Sequence, residues 1–185
     1  YGLTKLIGEN LIIDRAKKKF NYAILRYFNV VGADIENKNG QIYKNNQLFQ
    51  NIALAILNQK KLFIYGNKFK TKDGFAVRDF IDVNDLANLH FKFLDNLKKY
   101  KTNYTVNCGY GKGNSVKEIM KHFQSISKKK LIYEIKKSRD GDIPFSLCDN
   151  TKLNSKLNWK PNFDDVRKSI KNTLDWNKFI KTKSI

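Results

Sequence analysis

The first 27 residues, YGLTKLIGENLIIDRAKKKFNYAILRY from Tyr1 to Tyr27, decide the fold class. Apolar side chains recur in the range 1–19 at the three-to-five-residue spacing of an amphipathic helix. Those positions are Leu3, Leu6, Ile7, Leu11, Ile12 and Ala16. The run Tyr22-Ala-Ile-Leu-Arg-Tyr27 is short and apolar, and it predicts a buried strand directly after the helix. A helix that leads into a buried strand is typical of α/β folds.

The rest of the sequence continues to alternate strands and helices, with no internal repeat and no low-complexity linker. Strands are predicted at 62–65, 76–83, 105–108 and 131–135. Helices are predicted at 46–57, 83–97, 115–126, 150–157 and 163–181. The ranges 28–44 and 136–149 are predicted to be loops. This order predicts an α/β fold.

Composition excludes several classes of protein. Of 185 residues, 41% are hydrophobic and 29% are charged, which excludes a disordered, collagen-like or coiled-coil chain. The mean hydropathy of -0.57 and the lack of a long apolar run predict no membrane span. No secretion signal opens the sequence, and two cysteines make no disulfide framework, so we expect a reduced, cytoplasmic setting.

The strongest bias is in charge, with 36 Lys+Arg against 17 Asp+Glu and a net charge of +19. Such a balance fits a polyanionic partner. Only five of these cations are arginines, however, and nucleic-acid recognition depends on bidentate arginine contacts. Asn, Ile, Phe and Tyr are also abundant, as AT-rich codons would produce. We therefore favour solvated lysines over a nucleic-acid surface, and a basic binding module without catalysis remains the rival class.

Tyr1 and Lys5 form the first candidate catalytic pair. Four residues apart on a helix, their side chains share one face. An ammonium group near a phenol favours the phenolate, which is what a tyrosine general base requires. Chance alone produces such pairs in a chain so rich in lysine, and Tyr133 with Lys137 is a second match. Only context, the helix and the following Arg26-Tyr-Phe-Asn29, distinguishes the first pair.

Other motifs carry weaker signals. Gly109-Tyr-Gly-Lys-Gly113 lies between a strand and a helix but lacks the dinucleotide and Walker spacings. Ser115 and Glu118 follow it as a capping box, so a structural turn is favoured over a phosphate cradle. Arg78 and Arg139 suit a diphosphate, and the alternative for Arg78 is an ion pair with Asp79.

Histidines and metal ligands complete the candidates. His90 lies on the apolar side of a predicted helix and is interpreted as a core or second-layer residue rather than a catalyst. No His, Cys or carboxylate cluster has metal-ligand spacing, so no metal is predicted.

Nearly the whole chain resembles the UDP-glucose 4-epimerases of the extended short-chain dehydrogenase/reductase family. The matching segments, in family order, are Tyr1-Gly-Leu-Thr-Lys5 with Glu9, Leu25–Ala33, Tyr65–Gly74, Val77–His90, Asn107–Val116, Arg139–Pro144 and Leu157–Trp159. The range 66–90 is the most specific to the epimerases.

The resemblance implies part of a Rossmann-like parallel sheet domain plus a smaller α/β substrate-binding domain. Residues 1–30 would be a remnant of the NAD-binding domain. Residues 31–185 would mainly bind substrate, with 78–110 partly returning to the cofactor domain. The implied reaction is oxidation of a UDP-hexose at C4 by bound NAD, rotation of the 4-keto intermediate and hydride return. The implied partners are a UDP-sugar and a second copy of the chain.

The resemblance also implies residue roles. Tyr1 would be the general base, and Lys5 would hold the nicotinamide ribose. Tyr27 and Phe28 would border the nicotinamide. The remaining contacts would be to the UDP-sugar, from Asn29, Gln47, Leu48, Tyr65, Arg78, Arg139, Asp142 and Ser146.

Three departures from the family pattern matter. The glycine-rich nucleotide-binding half and the catalytic Ser/Thr are absent, so we expect a C-terminal portion that is inactive alone. Gln47 stands where the family usually has Asn or His. Ser146 stands where some epimerases carry a bulky tyrosine that excludes 2-acetamido sugars. A 4,6-dehydratase or a UDP-glucuronate 4-epimerase is the alternative within nucleotide-sugar enzymes.

Overall fold

A computed structural model describes residues 1–17, 19–42 and 47–183. Its helices are α1 (Gly2–Ala16), α2 (Leu48–Asn58), α3 (Val83–Tyr100), α4 (Val116–Ser127), α5 (Thr151–Leu157) and α6 (Val166–Thr182). Its strands are β1 (Ala23–Tyr27), β2 (Asn29–Val31), β3 (Leu62–Tyr65), β4 (Val77–Asp82), β5 (Tyr104–Cys108), β6 (Gly113–Ser115), β7 (Tyr133–Lys136) and β8 (Phe145–Ser146). The predicted α/β class is confirmed.

Parallel pairing dominates the sheets. β1 pairs with β5, from Ala23 opposite Tyr104 to Tyr27 opposite Cys108. β2 pairs with β4, and β3 pairs with β7, both in parallel. The first residues of β4 also pair with β6 in antiparallel orientation and with β8 in parallel orientation. β4 is therefore the strand on which the largest sheet is organised.

Two larger apolar clusters hold these layers together. One lies between α2, α4 and α6, where the ring of Phe49 contacts those of Phe80 and Phe123 at centroid distances of 5.1 and 5.4 Å. The other packs α3 and α5 against β4 and β5, and includes Leu89 and Leu153. Burial of these side chains supplies the main favourable free energy of folding.

Three aspartates on β4 and at the start of α3 are almost completely buried. The carboxylate of Asp79 accepts hydrogen bonds from the backbone N–H groups of Tyr110, Gly111 and Cys148, at 3.0, 2.7 and 3.2 Å. Asp82 caps α3 by accepting from the Asn84 N–H at 2.8 Å. These bonds satisfy charges that would otherwise be costly to bury.

Asp85 and Asp82 tie the C-terminal segment to the same region. Asp85 accepts from the Tyr110 hydroxyl at 2.7 Å and from the N–H groups of Asn162 and Phe163 at 2.9 and 2.8 Å. The Ser169 hydroxyl on α6 donates to Asp82 at 2.5 Å. Burial raises the pKa of the Asp82 carboxyl, and its hydrogen bonds oppose that shift.

The glycine-rich segment after β5 is a structural turn, as predicted. The backbone N–H groups of Tyr110 and Gly111 point at Asp79. The capping box is also confirmed, since Ser115 and Glu118 each accept from the other's backbone N–H. The alternative ion pair of Arg78 with Asp79 does not form: backbone N–H groups donate to the Asp79 carboxylate, and Arg78 donates to the Val77 carbonyl instead.

The two predicted loops conceal short strands. β2 lies within the range 28–44, and β8 lies before Asp149. At three and two residues, both are too short to show a period of two, and they are held by pairing with β4. β6 was likewise hidden, within the predicted turn and the helix start. Asn46, the predicted start of the second helix, lies outside the described residues.

The apolar face of α1 is largely uncovered. Ala16 is its buried residue, while Leu3, Leu6 and Leu11 are 70%, 49% and 66% exposed. The spacing of these residues therefore predicted the helix but not its burial. Among the described helices, none combines the length and apolar character needed to cross a membrane.

Gly109 tests how tightly the turn after β5 is packed. A Cβ atom there would lie 2.5 Å from the Cys148 Cβ and 2.8 Å from the Asp79 carboxylate oxygen. Because neither neighbour is a flexible chain end, we expect Gly109→Ala to lower the free energy of unfolding by about 1–3 kcal/mol. Urea-induced unfolding measures this change.

Gly8→Ala is the matched control. A Cβ atom at Gly8, in the interior of α1, meets no heavy atom within 4 Å. Alanine is the better helix former, so this variant should gain up to about 1 kcal/mol. Equal stabilities of the two variants would contradict the packing described for Gly109.

Candidate active site

A single open cavity of about 1170 Å³ brings most of the sequence-predicted site residues together. It is bordered by α1, by the strand ends of β1 and β3, by the start of α2 and by β4. Eleven of the twelve predicted residues line it: Tyr1, Lys5, Tyr27, Phe28, Asn29, Gln47, Leu48, Tyr65, Arg78, Arg139 and Asp142. The exception is Ser146.

Tyr1 and Lys5 share one face at the start of α1. The Lys5 Nζ atom lies 5.2 Å from the centroid of the Tyr1 ring. The Tyr1 carbonyl accepts from the Lys5 N–H at 3.2 Å and from the Thr4 hydroxyl at 2.7 Å, which fixes the first turn. The second match, Tyr133 with Lys137, begins in strand β7 and so lacks the shared helix face. Fold context therefore separates the two pairs.

An arginine–carboxylate fork joins α1 to β1 beside this pair. Arg26 Nε donates to Glu9 Oε1 at 2.7 Å, and Arg26 Nη2 donates to Glu9 Oε2 at 2.5 Å. Hydrogen bonding by Arg26 holds the pKa of the Glu9 carboxyl below its ordinary value. Both residues line the cavity. The fork thus connects the middle of α1 to the end of β1.

Tyr27 and Phe28 follow from β1. The Tyr27 hydroxyl lies 2.7 Å from His90 Nε2, and His90 Nδ1 lies 2.8 Å from the Leu86 carbonyl. A carbonyl only accepts, so Nδ1 carries the proton and Nε2 accepts from Tyr27. Burial raises the pKa of Tyr27. The Phe28 N–H donates to the Cys108 carbonyl at 3.1 Å.

His90 itself is exposed on α3, so a place in the core is wrong. It contacts the cavity residue Tyr27 without lining the cavity, which fits the second-layer interpretation.

Three further residues of the cavity lining are Asn29, Gln47 and Leu48. Asn29 Nδ2 donates to the Asp79 carbonyl at 3.0 Å, which orients the amide and leaves its oxygen as an acceptor. Gln47 is the N-cap residue of α2, and Leu48 opens that helix. These three residues come from segments on either side of the range 43–46.

Two guanidinium groups lie at the β3–β4 end of the cavity. Arg78 is partly buried and makes no ion pair with any carboxylate in the described part of the chain; its Nη1 donates to the Val77 carbonyl at 2.9 Å. Burial lowers the pKa of Arg78, and a guanidinium stays protonated in proteins even so. A charged guanidinium without a carboxylate is a natural site for a ligand anion.

Arg139 lies over an aromatic ring. Its guanidinium carbon is 5.1 Å from the centroid of the Tyr65 ring, and its Nε is 3.4 Å from Asp142 Oδ2. The Arg139 N–H also donates to Asp142 Oδ2 at 3.2 Å. The loop after β7 thus carries a cation, an acceptor and a stacking contact into one corner.

Ser146 lies beside this group rather than in the lining. Its partner in the parallel β4–β8 pair is Arg78. Residues paired on neighbouring strands project to the same side of a sheet, so Ser146 shares the side on which Arg78 meets the cavity.

Phe63 is a cavity residue that the sequence reasoning missed. In β3, Leu62 and Ile64 are buried while Phe63 and Tyr65 are exposed. This period of two puts Phe63 on the face of Tyr65. The signal that could have found it is its position two residues before Tyr65 in a predicted strand. Within the described ranges, no group of three metal-ligating side chains is placed to hold an ion.

The cavity residues fit a nicotinamide nucleotide at one end. Lys5 offers an ammonium donor suited to ribose hydroxyls, and the apolar ring of Phe28 lines the same cavity. The Tyr1 phenol lies at the same end.

Comparison with known proteins finds epimerases that are similar to this chain in sequence and in fold. A curated UDP-glucose 4-epimerase from Erwinia amylovora is 37% identical, over 95% of this chain and 53% of its own length. The crystal structure of a UDP-glucose 4-epimerase from Stenotrophomonas maltophila, with bound NAD and formylated UDP-arabinopyranose, is 31% identical with a TM-score of 0.92. The match covers 99% of this chain and 56% of the chain in the Stenotrophomonas structure.

A UDP-Glc/GlcNAc 4-epimerase from Campylobacter jejuni is 36% identical, with a TM-score of 0.77 over 97% of this chain and 55% of that one. This chain therefore spans about half the length of the curated relatives that it matches. The match to a family of known enzymes covers residues 1–109, which is more than half of the chain. The chain therefore belongs to the NAD dependent epimerase/dehydratase family.

Proposed function

We propose that the complete protein uses NAD to invert C4 of a UDP-hexose, as a UDP-glucose 4-epimerase. One observation carries the proposal: a single cavity holds the Tyr1–Lys5 pair together with two guanidinium groups, Arg78 and Arg139. The first pair suits proton transfer at a sugar hydroxyl, and the second suits a diphosphate. The relatives of this chain include proteins named as UDP-glucose 4-epimerases.

The proton-transfer role falls to Tyr1. Its phenolate, stabilised by the nearby Lys5 ammonium, would take the proton of the sugar O4 hydroxyl and become the neutral phenol. When bound, NAD would supply the redox chemistry, as acceptor of a hydride from C4 and as donor of that hydride to the opposite face of the 4-keto sugar. Tyr27 and Phe28 would border the nicotinamide ring, and Lys5 would also hold its ribose.

The remaining side chains would orient the UDP-sugar. Arg78 and Arg139 would bind the diphosphate, and Asp142 would accept from the uridine ribose. Tyr65 would line the uridine site. Asn29, Gln47 and Leu48 would contact the sugar end. The strongest support for an anionic ligand here is the half-buried charge of Arg78, which forms no ion pair with a carboxylate of residues 1–17, 19–42 or 47–183.

We also propose the domain arrangement and the setting. α1 and β1 would belong to the cofactor domain, and α3 and β5 would belong to the same domain. The parallel β1–β5 pair favours this division and supports the expected return of part of 78–110.

The protein would act in galactose metabolism as a cytoplasmic homodimer. Both cysteines are buried free thiols whose pKa burial raises to about 12, which suits a reducing compartment.

Tyr1→Phe tests the general base. We expect turnover of the complete enzyme on UDP-galactose to fall about a hundredfold or more, the usual range for loss of a general base. Binding of UDP-glucose, followed by calorimetry, should persist because Arg78 and Arg139 are untouched. Turnover near that of the unaltered enzyme would show that Tyr1 is not the base.

The 185-residue chain tests the need for a dinucleotide turn. It contains no Gly-x-Gly-x-x-Gly segment, and the N–H groups of its glycine-rich turn already bind Asp79. We expect this chain, purified alone, to retain no stoichiometric NAD and to epimerise nothing. Absorbance and cofactor release after denaturation measure this, and tightly held NAD would contradict it.

Ser146 tests sugar specificity. A serine on the Arg78 side of the sheet leaves room for an acetamido group, so the complete enzyme should turn over UDP-N-acetylhexosamines as well as plain UDP-hexoses. The Campylobacter relative is named for both kinds of sugar. Ser146→Tyr should reduce kcat/KM for the acetylated sugars about ten- to a hundredfold relative to the plain ones, by overpacking. An unchanged ratio would mean that Ser146 is not the gate.

A further inference from the structure

Tyr1, Lys5 and Glu9 follow one another at four-residue intervals along one face of α1. Side chains four apart on a helix are neighbours, so Lys5 has two possible partners. One is the Tyr1 ring, over which its Nζ atom lies at 5.2 Å. The other is the Glu9 carboxylate, yet Glu9 is bound by Arg26 through both oxygens. In the described part of the chain, Lys5 makes no ion pair at all.

We propose that Arg26 is a positioning residue that occupies Glu9 and thereby keeps the Lys5 ammonium beside Tyr1. The inference rests on the proposed function, since it assigns a cause to the placement of the Lys5 cation. A clamp between α1 and β1 is the competing explanation, in which the fork only fixes the helix.

The two fork partners are unequally buried, so the two explanations predict different effects when one partner is removed. The Glu9 side chain is 14% exposed, and that of Arg26 is 49% exposed. A largely buried carboxylate that loses its cation must find another, and Lys5 is one helical turn away. A half-exposed guanidinium that loses its carboxylate is solvated by water. Removing Arg26 should therefore displace Lys5, whereas removing the charge of Glu9 should not.

The test compares three variants of the complete enzyme. Arg26→Gln should lower kcat for UDP-galactose about tenfold with little change in KM, because part of the help given to the general base is lost. Glu9→Gln should lower kcat less than about threefold, since Lys5 keeps its place. The double variant Glu9→Gln/Arg26→Gln should recover most of the kcat lost in Arg26→Gln, because no carboxylate remains to attract Lys5.

Arg167→Gln is the matched control. Arg167 makes a similar fork with Asp165 at the start of α6, away from the cavity. Its loss should leave kcat unchanged. Thermal unfolding of every variant separates loss of folding from loss of turnover. If Arg26→Gln does not fold, Glu9→Gln still decides, because a clamp predicts that this variant too loses most of its turnover.

A crystal structure of the complete Arg26→Gln protein gives a readout independent of activity. We expect Lys5 Nζ within 4 Å of a Glu9 oxygen. Lys5 remaining on the Tyr1 ring, or a double variant no better than Arg26→Gln, would overturn the inference. If the unaltered protein shows no epimerase activity, the proposed function fails, while the Lys5–Glu9 contact still tests the positioning role.

Discussion

The buried carboxylate of Asp79 is the interaction on which the site depends. It is fully buried, and no cation among the described residues pairs with it. Three backbone N–H groups hold it instead, from the turn after β5 and from Cys148 after β8. A carboxylate bound in this way fixes backbone rather than side chains. The Asp79 carboxylate thus joins the strand that carries Arg78 to the segment that carries Ser146, and the backbone carbonyl of Asp79 orients Asn29.

The cavity shows why parallel strands concentrate chemistry at their ends. β1 ends at Tyr27, and the cavity residues Phe28 and Asn29 follow at once. β3 ends at Tyr65, and β7, its parallel partner, ends three residues before Arg139. The segments that follow parallel strands all leave the sheet at the carboxyl ends of the strands, where polar side chains need no partner within the sheet. Distant parts of the sequence therefore meet without any local signal.

Local periodicity determined what the sequence could predict. The four-residue interval placed Tyr1 and Lys5 on one face, whereas Tyr65 was expected at the site only from the family resemblance. Spacing does not carry tertiary choices. Asp79, the sequence neighbour of Arg78, was the alternative ion-pair partner, yet its carboxylate accepts from the backbone N–H groups of Tyr110, Gly111 and Cys148. The strand of Phe145 and Ser146 exists only because β4 accepts it.

The arginines of this chain carry more information than its lysines. Where codon bias favours lysine, an arginine persists most readily at positions where an ammonium cannot replace a planar fork. Arg26 and Arg167 each grip a carboxylate through two nitrogens, Arg139 stacks on an aromatic ring, and Arg78 is partly buried. Four of the five arginines of this chain thus occupy geometrically constrained positions, Arg15 in the last turn of α1 being the exception, and these four are the first residues to choose for mutagenesis.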